Sequence, residues 1–136
     1  MEAKFSQRVK DVLIYSREEA QRLGNDYIGL EHLLLGIIRE GEGLAIRIMK
    51  ILGVELSVVR KKLEMAVASH KEVQISGENI PLIKQAERAL KITYLEAKLF
   101  NSELIGTEHL LMAILKDENN LVTKTLAIYG ATYGSV

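Results

Sequence analysis

The sequence predicts an all-α fold, a tandem repeat of two pseudo-symmetric four-helix units in which the last helix of the second unit is absent or truncated. The first observation is internal repetition: Ile28–Leu34 recurs as Ile105–Leu111, and 13 of 50 aligned residue pairs are identical at an offset of 77 positions. The second is apolar residues spaced three and four apart, which are typical of amphipathic helices. The third is that Pro81 is the only proline, so proline interrupts few possible helices.

These observations predict a single domain that spans 1–136. Repeat 1 is expected at about 5–68 and repeat 2 at about 81–131. The polar stretch 69–80 between them is expected to be a linker. A chain of this length can bury a sizeable core.

Repeat 1 carries the clearest helix start and stop signals. Ser6 is expected to cap the first helix, because its hydroxyl can accept a hydrogen bond from a free N–H of the first turn. Gly24 suits the left-handed cap that follows this helix, and its counterpart Asn101 tolerates the same conformation. The helices are predicted, in order, at 5–23, 30–39, 44–52, 56–67, 81–100, 106–116 and 121–129.

The second helix of each repeat is predicted to lie in the core, because it is apolar nearly all round. Gly36 and its counterpart Ala113 are small, which indicates a close helix crossing. Pro81 is expected in the first turn of the fifth helix, where a missing N–H is tolerated. The residues expected to line the core are Val9, Leu13, Leu34, Ile37, Ile48, Ala86, Leu90, Leu111, Ile114 and Thr125.

Composition excludes several functional classes. The 18 basic and 18 acidic residues cancel, so the basic surplus of a nucleic-acid binder is missing. The absence of cysteine excludes disulfides and thiolate metal sites. We find neither a signal peptide nor a run long enough to span a membrane, and we therefore expect a cytoplasmic protein that binds no membrane. The glycines at 36 and 41 lack the lysine and hydroxyl of a phosphate loop, and we expect no cofactor in this chain.

Two Glu-His pairs, Glu31-His32 and Glu108-His109, are the residues that a functional hypothesis must explain. A structural role is the first interpretation: the histidine bonds the backbone at a helix start, and the glutamate complements the helix dipole. Recognition is the second, because free N–H groups at a helix start bind anions and a carboxylate binds a guanidinium. A freestanding metal-dependent helical enzyme that uses both pairs is the alternative from another class, although no HExxH motif is present.

Longer motifs point to a known family. The stretches Gly29–Gly43, Ser16–Gly24 and Gly106–Leu111 resemble the signature of the Clp amino-terminal domain, and the first half looks most like the C class of Clp ATPases. This resemblance implies the substrate- and adaptor-recognition domain of a hexameric AAA+ unfoldase that delivers proteins to the Clp peptidase. The ATPase modules are not in these residues, so the resemblance implies that this chain is a protein-binding domain and not an enzyme.

Some members of the family bind phosphoarginine at two sites related by the repeat. The resemblance implies that Glu31 and Glu108 contact this ligand, together with hydroxyls near the repeat starts, here Ser6 and Thr107. This sequence has Leu30 and Ile80 where the family usually has threonine, and neither side chain can bond a phosphate oxygen. We therefore expect one good site from Ser6, Thr107 and Glu108, and a poor site from Glu31, Leu30 and Ile80. The first helix of one repeat must then meet the second helix of the other.

Overall fold

A computed structural model of the chain describes residues 4–68 and 80–136, and within these ranges the fold is almost entirely helical. Two short strands, β1 and β2, accompany the helices α1 to α7. The helices are α1 (Gln7–Arg22), α2 (Leu30–Glu40), α3 (Leu44–Ile51), α4 (Leu56–Val67), α5 (Lys84–Leu99), α6 (Thr107–Lys116) and α7 (Leu121–Ala127). The strands are β1 (Lys4–Phe5) and β2 (Leu104–Ile105). The all-α class is confirmed, whereas the two strands are not in the sequence prediction.

The predicted caps of α1 and α5 are confirmed. The Ser6 hydroxyl accepts a hydrogen bond from the Val9 N–H at 3.2 Å. Gly24 has a φ of 76° and Asn101 a φ of 55°, so both residues adopt the left-handed conformation after their helices.

The prediction for Pro81 is wrong, because α5 begins three residues later, at Lys84. The segment before α5 is extended and bonds to the other repeat. The Ile28 N–H donates to the Pro81 carbonyl at 2.8 Å, and the Ile83 N–H donates to the Ile28 carbonyl at 3.0 Å. These bonds between chain segments outweigh the local preference of proline for a first helical turn.

The same pairing occurs on the other side of the molecule. Strand β1 runs parallel to β2, with Lys4 opposite Leu104, and the Ser6 N–H donates to the Ile105 carbonyl at 2.9 Å. Each repeat therefore bonds its entry segment to the segment before the second helix of the other repeat. As predicted, the start of α1 lies beside the start of α6, and the start of α5 lies beside the start of α2.

One apolar core is shared by both repeats. Six of the ten predicted core residues are fully buried: Val9, Leu34, Ile37, Ala86, Leu111 and Ile114. Leu13, Ile48 and Leu90 are half-buried, and Thr125 is buried although its hydroxyl has no hydrogen-bond partner in the described part of the chain.

The predicted close crossing at Gly36 is also confirmed. A β-carbon at this position would lie 2.6 Å from the Val12 carbonyl oxygen and would overlap the Ser16 hydroxyl. Only a residue without a side chain lets α2 approach α1 so closely.

The chain leaves α7 in a single turn and not in a long helix. The Val136 N–H donates to the Thr132 carbonyl at 3.1 Å, while the Tyr133 hydroxyl donates to the buried carboxylate of Glu96 at 3.0 Å.

Among the described helices, none is long and apolar enough to cross a membrane. The predicted linker, 69–80, lies outside the described residues except for Ile80.

Candidate functional site

The cross-repeat pairing creates two related sites at the helix starts. Site 1 consists of Ser6 at the start of α1 with Gly106 and Glu108 at the start of α6. Site 2 consists of Ile83 at the start of α5 with Gly29 and Glu31 at the start of α2. The two sites correspond to each other under the offset of 77 positions.

In site 1, a hydroxyl and a carboxylate occupy two adjacent helix starts. The half-buried Ser6 accepts from the Val9 N–H, so its own O–H remains able to donate. Glu108 is the second residue of α6 and folds back, so that its carboxylate occupies the space that a β-carbon on Gly106 would need. Site 1 therefore offers a donor and a carboxylate to a ligand beside two helix N-termini.

In site 2, the hydroxyl is replaced by an apolar group. A β-carbon on Gly29 would lie 2.8 Å from Glu31 Oε1, 3.3 Å from the Tyr27 ring and 3.5 Å from Ile83 Cδ1. Burial, and then the charge of Glu31, raises the pKa of Tyr27. A carboxylate, a phenol and a methyl group thus surround this helix start, and Ile83 cannot donate a hydrogen bond from its side chain.

The predicted role of Ile80 in the poor site needs correction. Ile80 is buried, with 6% of its surface exposed, and it lies four residues before the start of α5. The counterpart of Ser6 is Ile83, which precedes α5 as Ser6 precedes α1. The sequence offset alone identifies this position. Site 2 therefore lacks a hydroxyl as predicted, but the residue that replaces the serine is Ile83 and not Ile80.

The structure turns Thr107 away from site 1. This side chain is only 2% exposed, and its hydroxyl accepts from the Ala45 N–H at 3.1 Å. It packs so tightly on Gly43 that a β-carbon there would lie 2.9 Å from Thr107 Cγ2. Thr107 therefore caps α3 of the other repeat, and its hydroxyl does not face solvent.

This cross-repeat cap also explains Leu30, the counterpart of Thr107. In repeat 2, Asn120 caps its own helix α7, since its side chain accepts from the Thr123 N–H at 2.8 Å. Its counterpart in repeat 1, Gly43, has no side chain with which to cap α3. Since α7 has its own cap, it needs no threonine from repeat 1, and a leucine is tolerated at position 30.

The histidines have the structural role that the first interpretation predicts. His32 is fully buried, its Nδ1 accepts from the Gly29 N–H at 2.9 Å, and its Nε2 donates to Asn25 Oδ1 at 2.7 Å. His109 accepts from the Gly106 N–H in the same way. Burial lowers the pKa of His32 to about 4, which keeps the ring neutral at pH 7.

Neither nitrogen of His32 has a lone pair left for a metal ion, because one accepts a hydrogen bond and the other carries the proton. Within 4–68 and 80–136, the structure contains no group of three or more His, Asp or Glu side chains arranged to hold a metal ion. The arrangement of the Glu-His pairs favours helix capping.

Sequence reasoning missed two buried carboxylates, Glu19 and Glu96. Glu19 pairs with Arg22 at 3.0 Å and Arg39 at 3.6 Å, and Glu96 pairs with Lys116 at 3.1 Å. The available signal was their identity in both repeats together with the basic pair at 39 and 116. The pairs with Arg39 and Lys116 join the first helix of each repeat to its second helix, whereas the pair with Arg22 lies within α1.

Comparisons with known proteins agree with the repeat and the fold. The model of the Clp repeat (R) N-terminal domain family matches residues 4–128. A probable ATP-dependent Clp protease ATP-binding subunit from Chlamydia pneumoniae is 32% identical over 90% of this chain and 14% of its own length. Chaperone protein ClpB from Oceanobacillus iheyensis is 32% identical over 97% of this chain and 16% of its own length.

A solved structure has a similar fold. The N-terminal domain of the caseinolytic protease associated chaperone ClpD from Arabidopsis thaliana superposes with a TM-score of 0.74 at 20% identity, over 96% of this chain and 87% of that chain. This chain spans about one-seventh of the length of the two curated relatives.

Proposed function

This chain belongs to the Clp repeat (R) N-terminal domain family, and from that premise we propose that it is the substrate- and adaptor-docking domain of a Clp unfoldase. The family match over 4–128 carries the proposal. Among the classes of Clp ATPases, the C class fits the motif at 29–43, and we propose a cytoplasmic location for such an unfoldase. The partners are then adaptors and unfolded polypeptides, with the ATPase modules and the Clp peptidase supplied by the parent protein.

A competition experiment tests this docking role. The isolated chain, in excess, should slow the degradation of an adaptor-dependent substrate by a C-class Clp unfoldase and its peptidase, because it captures the adaptor. Degradation of a substrate that needs no adaptor is the control and should keep its rate. If both rates remain unchanged at saturating chain, the docking role is refuted.

Within this role, we propose that site 1 binds phosphoarginine better than site 2. The phosphate needs donors, and site 1 supplies the Ser6 hydroxyl beside two helix starts. The guanidinium needs a carboxylate, which Glu108 supplies. Site 2 keeps Glu31 but has Ile83 in place of the hydroxyl. We expect no contact of Thr107 with the ligand, because its hydroxyl is already bonded to the Ala45 N–H.

Calorimetry with free phosphoarginine tests this asymmetry. Glu108→Ala should lose about 1.5–3 kcal/mol of binding free energy, roughly ten- to a hundredfold in affinity, whereas Glu31→Ala should change little. Ile83→Ser should add a second binding event, and Ser6→Ile should remove the first. Arginine and phosphoserine are the control ligands and should bind more weakly, because each lacks one of the two charges.

The outcomes separate the two proposals. Equal losses from Glu108→Ala and Glu31→Ala would mean that the hydroxyl does not govern the site. If the unmutated chain binds no phosphoarginine, the site proposal fails, and the competition experiment alone decides the docking role.

A further inference from the structure

The exposed ridge of α5 differs in chemistry from the equivalent ridge of α1. Helical spacing aligns two sets of α5 residues along one side of this helix of 16 residues. The first set is basic and exposed: Lys84, Arg88, Lys91 and Lys98. The second set is apolar and exposed: Tyr94 (45%), Leu95 (63%) and Leu99 (65%). We call these seven residues the α5 ridge.

The fold does not require this chemistry, as the other repeat demonstrates. The α1 counterparts of the four basic residues are Gln7, Asp11, Ile14 and Gln21, none of them basic. The counterparts of the three apolar residues are Arg17, Glu18 and Arg22, all charged. Phe100 is exposed as well, but its counterpart Leu23 is also apolar, so it does not distinguish the repeats.

In α1, two of these three charged residues, Glu18 and Arg22, form ion pairs with other helices of repeat 1. Glu18 pairs with Arg39 at 2.8 Å, and Arg22 bridges Glu19 and Glu64 of α4. In α5, the counterparts of Glu18 and Arg22 are Leu95 and Leu99, which leave apolar surface exposed to solvent. None of the four basic residues of the ridge forms an ion pair within the part of the chain that the structure describes.

We propose that the α5 ridge docks an acidic segment of a partner protein that carries aliphatic residues on one side. The apolar half provides the buried contact, and the basic residues select carboxylates and accelerate the encounter. Glu87 is the one carboxylate of α5 on this side, so the ridge remains strongly positive. The source of the partner, an adaptor or a substrate, rests on the proposed docking function, whereas the ridge and its chemistry do not.

A labelled peptide tests the ridge directly. The probe is an amphipathic peptide with leucines four residues apart and glutamates at its other positions, and the comparison peptide has lysines in place of the glutamates. We expect saturable binding of the acidic peptide in fluorescence anisotropy and an affinity about tenfold lower for the basic peptide. High salt should weaken the binding of the acidic peptide, because it screens the attraction between opposite charges.

Repeat 1 itself supplies the variants, which should fold because α1 carries the same residues. Tyr94→Arg with Leu95→Glu and Leu99→Arg removes the apolar half, and Lys84→Gln with Arg88→Asp and Lys98→Gln removes the charge. Each triple variant should weaken peptide binding by about tenfold or more. Ile51→Arg is the control, because Ile51 is 84% exposed on α3, outside the ridge.

Four results from the peptide and variant experiments would overturn the inference. These are no saturable binding by the unmutated chain, equal binding of the acidic and basic peptides, unchanged binding by the apolar triple variant, and self-association of the chain that this variant abolishes. Tighter binding to vesicles of anionic phospholipid than to the acidic peptide would also contradict it, because the ridge would then recognise a membrane surface.

Discussion

Thr107 provides the sharpest test of how the two repeats are joined. Thr107→Val keeps the shape of the side chain but removes the acceptor for the Ala45 N–H, which is bonded at 3.1 Å in a site that is 2% exposed. A buried N–H without a partner costs about 1–3 kcal/mol, so the free energy of unfolding should fall by that amount. Urea unfolding should give a lower midpoint with an unchanged m-value.

Thr107→Ser is the matched control for this prediction. It retains the hydroxyl and loses one methyl group, which should cost only about 0.8 kcal/mol. Both variants should bind phosphoarginine with the affinity of the unmutated chain, since the hydroxyl faces α3 and not site 1. The cross-repeat cap is refuted if Thr107→Val changes the free energy of unfolding by less than about 0.5 kcal/mol, the range of surface substitutions.

Three further predictions concern the helix starts and the core. Gly106→Ala should fold normally, since the φ of −96° at this position suits alanine, but its β-carbon should displace the Glu108 carboxylate. Calorimetry should then show phosphoarginine binding weakened by about tenfold, and an unchanged affinity would contradict this prediction. The pKa of His32 is about 4 in the folded chain and about 6.5 in the unfolded chain, so the unfolded chain binds more protons between these pH values. The free energy of unfolding should therefore fall by roughly 3 kcal/mol as the pH drops through this window. Urea titrations should find a smaller loss in His32→Gln. Leu34→Ala should cost about 2–5 kcal/mol because Leu34 is fully buried, and thermal and urea unfolding should both show it.

Local signals in the sequence predicted much of this fold. Ser6, Gly24 and Asn101 mark helix ends through the preferences of their own side chains and backbone, and the structure has each of them as expected. The capping role of His32 follows from its position three residues after Gly29 at a helix start. Such signals act over a few residues, so composition and spacing are sufficient to detect them.

The candidate sites were only partly predictable. The repeat identified Glu31 and Glu108 as equivalent residues. The site that the family resemblance implies, with Ser6 and Thr107 from different repeats, required the two repeats to meet at their helix starts. It did not reveal that Thr107 turns inward to α3 or that Ile83 takes the place of Ser6 in site 2. The hydroxyl of a threonine at a helix start can face inward or outward, and only its neighbours decide between the two.

By itself, the sequence determined the approximate helices, the caps at Ser6, Gly24 and Asn101, the repeat and the buried second helices, because these depend on residues close together in the chain. Tertiary structure alone decided the strand pairing of Lys4 with Leu104, the extended conformation of Pro81 and the burial of Glu96. Each of these depends on a partner far away in the sequence: Lys4 pairs with Leu104, Pro81 bonds to Ile28, and Glu96 bonds to Tyr133, which is 37 residues away. Contacts of this kind form only when the two repeats pack, and the spacing of residues within one helix does not encode them.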